Sequence, residues 1–168
     1  MVAIRFISWL TALVLLGAVP FGHAQAASTT VQVSASVVKP LEFSVKRHLN
    51  FGEIILNNPV GKSTVSVSMA GVVSCPAGLT CTGAAVPAIL NVAGANRQTV
   101  RITTTASDLI NSADGSRLRF TPVAPASVTL TNSGHPGTDF NVGGSIAIPS
   151  TVKDGVYVGT VEVTVQYQ

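Results

Sequence analysis

The C-terminal segment from Gly155 to Gln168 constrains the fold of this chain more than any other stretch. Its residues alternate, and one phase of the alternation is apolar or small: Tyr157, Gly159, Val161, Val163, Val165 and Tyr167. Successive side chains of a β-strand point to opposite faces, so this pattern predicts a strand with one buried face. A strand of this kind needs a sheet to pair with and a second layer to cover its apolar face.

Short alternating runs also fill the rest of the chain, separated by Gly, Pro and Asn. They include the runs through Leu41, Phe43 and Val45, through Val65 and Val67, through Val100 and Ile102, through Leu118 and Phe120, and through Val128 and Leu130. Residues 140–148 predict a strand with a bulge at Gly143-Gly144, whereas residues 108–115 predict a helical turn at most. Because no segment has the pattern of an amphipathic helix, we predict an all-β fold of about eight or nine strands. The expected architecture is a two-sheet sandwich, immunoglobulin-like in topology only.

Residues 1–26 have the layout of a secretory signal peptide. Arg5 precedes an apolar run from Phe6 to Val19, and Ala24-Gln25-Ala26 matches an Ala-x-Ala cleavage site. We therefore expect export and a mature chain that starts at Ala27. The alternative is an uncleaved membrane anchor, which requires about 18 or more apolar residues.

The composition argues against several classes of function. The formal net charge is only +3, and charged residues make up 10% of the chain against about 25% in ordinary soluble domains. This charge is too weak to indicate nucleic-acid binding, and a surface with so few charges does little to resist association. The two cysteines, Cys75 and Cys81, lie close together in an exported chain, which predicts a disulfide bond that fixes one loop.

The sequence offers no convincing catalytic or metal site. Outside the predicted signal peptide the histidines are His48 and His135, each in a polar segment, and the acidic residues are scattered singly. An enzyme requires titratable groups that converge on a pocket. We therefore expect no enzymatic activity, no cofactor and no metal.

The mature N-terminus carries a second strongly alternating run. In residues 29–37 one phase is apolar, formed by Val31, Val33, Ala35 and Val37, and the segment ends before Lys39-Pro40. The pattern predicts a strand, but the partner of that strand is open. Residues 31–37 either complete the sheet of their own domain or pair with another chain.

Three stretches together resemble the spore-coat-protein-U-like subunits of archaic chaperone-usher pili. They are the N-terminal run, the motif Leu49-Asn50-Phe51-Gly52, and the C-terminal segment with Gly155 and a penultimate Tyr167. The chain is more similar still to an uncharacterised family of exported bacterial domains that shares these stretches. One departure is that Val38-Lys39-Pro40 lacks the cysteine that usually follows the N-terminal strand in spore-coat-U-like pilins.

The resemblance implies assembly by donor-strand complementation, in which a sandwich that lacks one strand accepts it from another protein. Residues 27–38 would be the donor extension, with Val31, Val33, Ala35 and Val37 as donor residues, and residues 39–168 would form the sandwich. Val161, Val163, Val165 and Tyr167 would line the acceptor groove and contact the chaperone. The implied partners are further copies or related subunits, a periplasmic chaperone and an outer-membrane usher, and the implied location is the periplasm and then a fimbrium. The alternative is a monomeric exported module that contacts surfaces or glycans through the Cys75–Cys81 and Asn132–Asp139 loops.

Overall fold

A computed structural model describes residues 27–57 and 61–168. The predicted signal peptide, residues 1–26, lies outside the described residues. The chain divides into two units, residues 1–35 and residues 36–168. Within the first unit the described residues, 27–35, form no helix or strand. All the secondary structure described below belongs to residues 36–168.

This second unit is all-β, as the alternating pattern predicts. The described part of the chain contains the strands β1 (Glu42–Arg47), β2 (Glu53–Leu56), β3 (Ser63–Val67), β4 (Val73–Ser74), β5 (Leu79–Thr82), β6 (Ala88–Ala93), β7 (Thr99–Thr104), β8 (Ser107–Asn111), β9 (Arg117–Val123), β10 (Ser127–Thr129), β11 (Thr138–Ile148), β12 (Tyr157–Val158) and β13 (Val163–Tyr167). No helix occurs between residues 36 and 168 where the structure describes them. Accordingly, no helix capable of spanning a membrane is found in the described residues.

Most strands belong to one large sheet that is organised around β11. Its order is β1-β6-β11-β9-β8-β12, with β3 also paired to β11 and β4 paired to β3. A three-stranded sheet has the order β10-β7-β13, and β2 and β5 form a two-stranded sheet. All of these pairings are antiparallel.

Two clusters of buried side chains form the core. The first lies between the β1-β6-β11 part of the large sheet and the three-stranded sheet, and comprises Leu90, Val92, Val100, Ile102, Leu130, Phe140 and Val142. The second comprises Val65, Phe120, Ile146 and Ile148, with Phe51 packed edge-on against Phe120 at 5.9 Å between ring centroids. The structure is therefore a β-sandwich whose first cluster is covered by one sheet on each side.

The Gly143-Gly144 pair does not form the predicted bulge. β11 runs without interruption from Thr138 to Ile148, and its neighbour on one side changes from β6 to β3 at this point. A Cβ atom on Gly144 would lie 2.5 Å from the ring of Phe120, and one on Gly143 would clash with the carbonyl oxygen of Val67. The two glycines thus permit close packing where one strand is shared between two neighbours.

Two further expectations are corrected. Residues 107–111 form β8 instead of a helical turn, because they pair with β9 across residues such as Leu118. The C-terminal segment is not one strand. Tyr157–Val158 pairs with β8 in the large sheet, whereas Val163–Tyr167 pairs with β7 in the small sheet, so the chain crosses between sheets after Val158.

The predicted disulfide is present between Cys75 and Cys81, with a Cα–Cα distance of 6.0 Å. It joins the chain just after β4 to β5 and closes a short loop. The strand predicted for residues 29–37 is absent from the structure. Residues 27–40 are irregular, and Val31, Val33 and Val37 are 80%, 88% and 93% exposed.

Candidate acceptor groove

Two strands beside the first core cluster have a free edge. Within the described residues, β1 pairs only with β6, and β13 pairs only with β7. β1 is an outer strand of the large sheet, and β13 is an outer strand of the small one. A free strand edge carries unpaired N–H and C=O groups and is a template for pairing with another strand.

The inner face of β1 is only partly covered. Phe43 lies opposite Val92 and Val45 lies opposite Leu90. Because directly opposed residues point to the same face, Phe43 and Val45 face the first core cluster. Phe43 stacks on Phe140 at 6.1 Å between ring centroids, yet it remains 40% exposed, and Val45 remains 52% exposed.

The inner face of β13 is similarly open. Val165 lies opposite Ile102 and Tyr167 lies opposite Val100, and both of these partners are buried in the first cluster. Val163, Val165 and Tyr167 pack against that cluster, but all three are only half-buried. We use the name open groove for the apolar surface between the two free edges, lined by Leu41, Phe43 and Val45 from the β1 side and by Val163, Val165 and Tyr167 from the β13 side.

The opposite side of the same cluster is closed. There β10 of the small sheet contacts β11 of the large sheet, and Leu130, which follows β10, is only 1% exposed. Val100 on the central strand of the small sheet is fully buried. Val128 on β10 is also only partly buried, but the inward-facing side chains with the greatest exposure, Phe43 and Val45, lie on the side between β1 and β13, where one more strand would cover them.

One end of the open groove is held by the hydroxyl group of Tyr167. This hydroxyl accepts a hydrogen bond from the backbone N–H of Ala95 at 2.8 Å and donates one to the carbonyl oxygen of Lys39 at 2.7 Å. Gly94 lies beneath the contact, and a Cβ atom there would clash with the Tyr167 hydroxyl and lie 2.9 Å from Leu41 Cδ2. The C-terminal strand, the turn after β6 and the start of β1 thus meet at one point.

The residues predicted for the acceptor groove are brought together with one exception. Val163, Val165 and Tyr167 line the open groove, whereas Val161 packs against the second core cluster. The sequence reasoning did not assign the β1 side of the groove to this site. The alternation of Leu41, Phe43 and Val45 directly after Pro40 is the sequence pattern that could have predicted this side.

Two residues of β1, Glu42 and Lys46, pair with titratable side chains at the surface. His135 Nε2 lies 3.2 Å from Glu42 Oε2, and both side chains are exposed. The ammonium group of Lys46 lies 2.7 Å from Asp139 and holds the pKa of that carboxyl group below its usual value. The amide of Asn91 also donates to Asp139 and adds to the shift.

No group of three or more His, Cys, Asp or Glu residues is placed to hold a metal ion in the part of the chain that the structure describes. Of the two loops considered for surface binding, Cys75–Cys81 is closed by its disulfide. Asn91 donates to the carbonyl oxygen of Pro136, which anchors the other loop to β6. Neither loop contains Phe, Tyr or Trp, the side chains on which sugar rings usually stack.

Residues 41–167 match a family model described as "Domain of unknown function (DUF4402)". No curated protein and no solved structure gives a significant match.

Proposed function

We propose that this chain, which belongs to the DUF4402 family of domains of unknown function, is an exported structural subunit of a fimbria-like fibre that assembles by donor-strand exchange. In this mechanism residues 27–38 of one copy, the extension, supply a strand to the open groove of another copy. The observation that carries the proposal is the open groove itself, where two free strand edges flank apolar side chains that face the core and remain partly exposed.

The extension has the chemistry of the missing strand. Its apolar phase, Val31, Val33, Ala35 and Val37, would face the core if the segment paired in the groove, and its polar phase would face water. In the described structure the three valines are at least 80% exposed. Strand addition to a sheet edge gains affinity from backbone hydrogen bonds and specificity from alternate side chains.

The energies involved are large for a small domain. Burying one valine side chain contributes about 1.5 kcal/mol or more, and a whole domain is stable by only about 5 to 15 kcal/mol. Filling the groove with three valines therefore changes a substantial fraction of the total stability. A subunit whose groove is empty also exposes a free edge that invites aggregation.

The low stability expected of a subunit with an empty groove gives each proposed partner a role. A periplasmic chaperone would cover the groove after export through the signal peptide, and an outer-membrane usher would pair each subunit with the extension of the next. The fibre would then lie at the cell surface. No catalytic activity, cofactor or metal takes part in this mechanism.

The direct test is to remove the extension. We expect a chain that lacks Ser28–Val38 to form no polymers in size-exclusion chromatography with light scattering, whereas the complete mature chain forms a ladder of multiples. A matched control replaces Val31, Val33, Ala35 and Val37 with serine, which keeps the length of the extension and removes only its apolar phase. If the shortened chain polymerises like the complete one, the proposal is wrong. If the shortened chain and the complete chain both remain stable monomers, the fibre proposal is wrong and the alternative of a monomeric exported module is favoured.

A further inference from the structure

The segment Lys39–Leu41, which joins the extension to β1, is held by two contacts, and these contacts affect which groove the extension can fill. The Lys39 carbonyl accepts a hydrogen bond from the Tyr167 hydroxyl, and Leu41 packs against the first core cluster. We propose that this junction, fastened by Tyr167, is a built-in barrier to self-completion that directs the extension into the groove of a second copy. The inference rests on the proposed function and adds a positioning role for Tyr167.

The shortest turn that could bring the extension back beside β1 would point the wrong side chains toward the core. Because β1 begins at Glu42, an extension that folded back along its free edge would form an antiparallel hairpin with β1. A two-residue turn at Pro40-Leu41 would place Val38 opposite Phe43, whose side chain faces the core. Directly opposed residues share a face. The residues facing the core would then be Val38, Ser36, Ser34 and Gln32, and the valines of the apolar phase would face water.

A turn that is one residue longer would point the apolar phase of the extension toward the core, but this turn conflicts with the local sequence. With Lys39-Pro40-Leu41 as the turn, Val37 lies opposite Phe43 and the apolar phase faces inward. The common three-residue hairpin turn requires helical dihedral angles at its first residue and a left-handed conformation at its third. Lys39 precedes a proline, which disfavours the helical region. Leu41 has a Cβ atom, which disfavours the left-handed region.

The Tyr167 hydroxyl adds to these two local conflicts. The in-phase turn rotates Lys39 and pulls Leu41 away from the first cluster, so it breaks the 2.7 Å hydrogen bond between Tyr167 and the Lys39 carbonyl. A strand donated by a second copy makes no such demand, because the junction of the accepting subunit keeps its conformation. The hydrogen bond therefore favours donation between copies over return of the extension along the free edge of β1.

The test compares Tyr167→Phe with Tyr157→Phe in the complete mature chain. The two tyrosines are well matched, since the hydroxyl of Tyr157 donates to a lysine carbonyl at a similar distance, that of Lys153 at 2.8 Å. Light scattering gives the ratio of monomer to polymer, and digestion of isolated monomers by proteinase K with mass spectrometry shows whether residues 27–38 are protected. We expect Tyr167→Phe to raise the monomer fraction and the protected fraction about two- to tenfold, the range for loss of the hydrogen bond to Lys39. Tyr157→Phe should behave as the wild type.

A glycine inserted between Pro40 and Leu41 is the second variant, because it lengthens the return turn and leaves every side chain of the core in place. We expect it to increase protection of the extension in monomers as well. Equal protection in the wild type, Tyr167→Phe and the insertion variant would overturn the inference. The failure of the proposed function gives a different result, namely a wild-type chain that never polymerises. Protection measured on monomers decides the role of Tyr167 in that case too.

Discussion

The most informative perturbation is a polar substitution of Val33 in an isolated donor peptide. The side chain of Val33 is 88% exposed in the described chain, so its replacement removes no packing from the free subunit. In the open groove the same side chain would be buried. The contrast makes Val33→Asn a probe of the bound state alone, and Ser34→Asn is its control because residue 34 belongs to the opposite phase.

The magnitude follows from the two environments. Loss of a buried valine costs about 1.5 kcal/mol, and burial of an amide without full hydrogen bonding costs roughly 1 to 3 kcal/mol. The combined effect on binding should be about 2.5 to 4.5 kcal/mol, which corresponds to a roughly 60- to 1600-fold increase in Kd. Ser34→Asn faces water in both states and should change Kd by less than about threefold, as expected for surface substitutions.

The assay is fluorescence anisotropy with a labelled peptide of residues 28–38 and a subunit that begins at Lys39. Wild-type peptide should bind and raise the unfolding temperature of the subunit, since a ligand that binds only the folded state stabilises it. Equal Kd values for the Val33→Asn and Ser34→Asn peptides would refute the reasoning, because strand insertion requires that the two phases differ. Absence of binding by the wild-type peptide would refute it as well.

Three further outcomes are expected from substitutions in the subunit. Leu130→Ala truncates a side chain that is 1% exposed and should lower the free energy of unfolding by about 2 to 5 kcal/mol. Val45→Ala truncates a side chain that is 52% exposed and should cost less than about 1 kcal/mol while the groove is empty. Urea unfolding with and without peptide measures both effects. Replacing Cys75 and Cys81 by serine should cost at most about 2 kcal/mol, because the bridge closes a short loop, and peptide affinity should stay unchanged. Asp139→Asn should destabilise the subunit at neutral pH but not in acid. The folded-state pKa of Asp139 is lowered. The stabilisation by its carboxylate is therefore present above the unfolded-state pKa near 4 and is lost as the pH falls through the folded-state pKa. A difference between wild type and Asp139→Asn that does not shrink between pH 5 and pH 2 would contradict this assignment.

The strands were predictable from the sequence because period-two alternation reports directly which side chains face a core. Val100 and Ile102, or Leu118 and Phe120, are buried as that pattern predicts. The same pattern does not report which sheet a strand joins. Tyr157 and Val163 share one alternating phase, yet they lie in different sheets, because the chain crosses between them.

The candidate site was predictable only in part for a related reason. Residues 29–37 alternate as strongly as β13, but a strand exists only where another strand pairs with it, and within the described residues none pairs with this segment. The β1 side of the groove depends on an edge being free, which is a property of the whole topology. Likewise, the hydrogen bond from Tyr167 to Lys39 joins residues far apart in the chain, and no local pattern signals it.

The uninterrupted course of β11 connects the two core clusters, and we expect it to couple their stabilities. Phe140 and Val142 belong to the cluster beside the groove, and Ile146 and Ile148 belong to the other, so neither cluster can open without disturbing the strand that both share. Stabilisation gained at the groove should therefore slow amide hydrogen exchange in β3 and β9, which a bound strand never touches. In the proposed fibre, each copy would thereby become more resistant to unfolding throughout by a contact made at the groove alone.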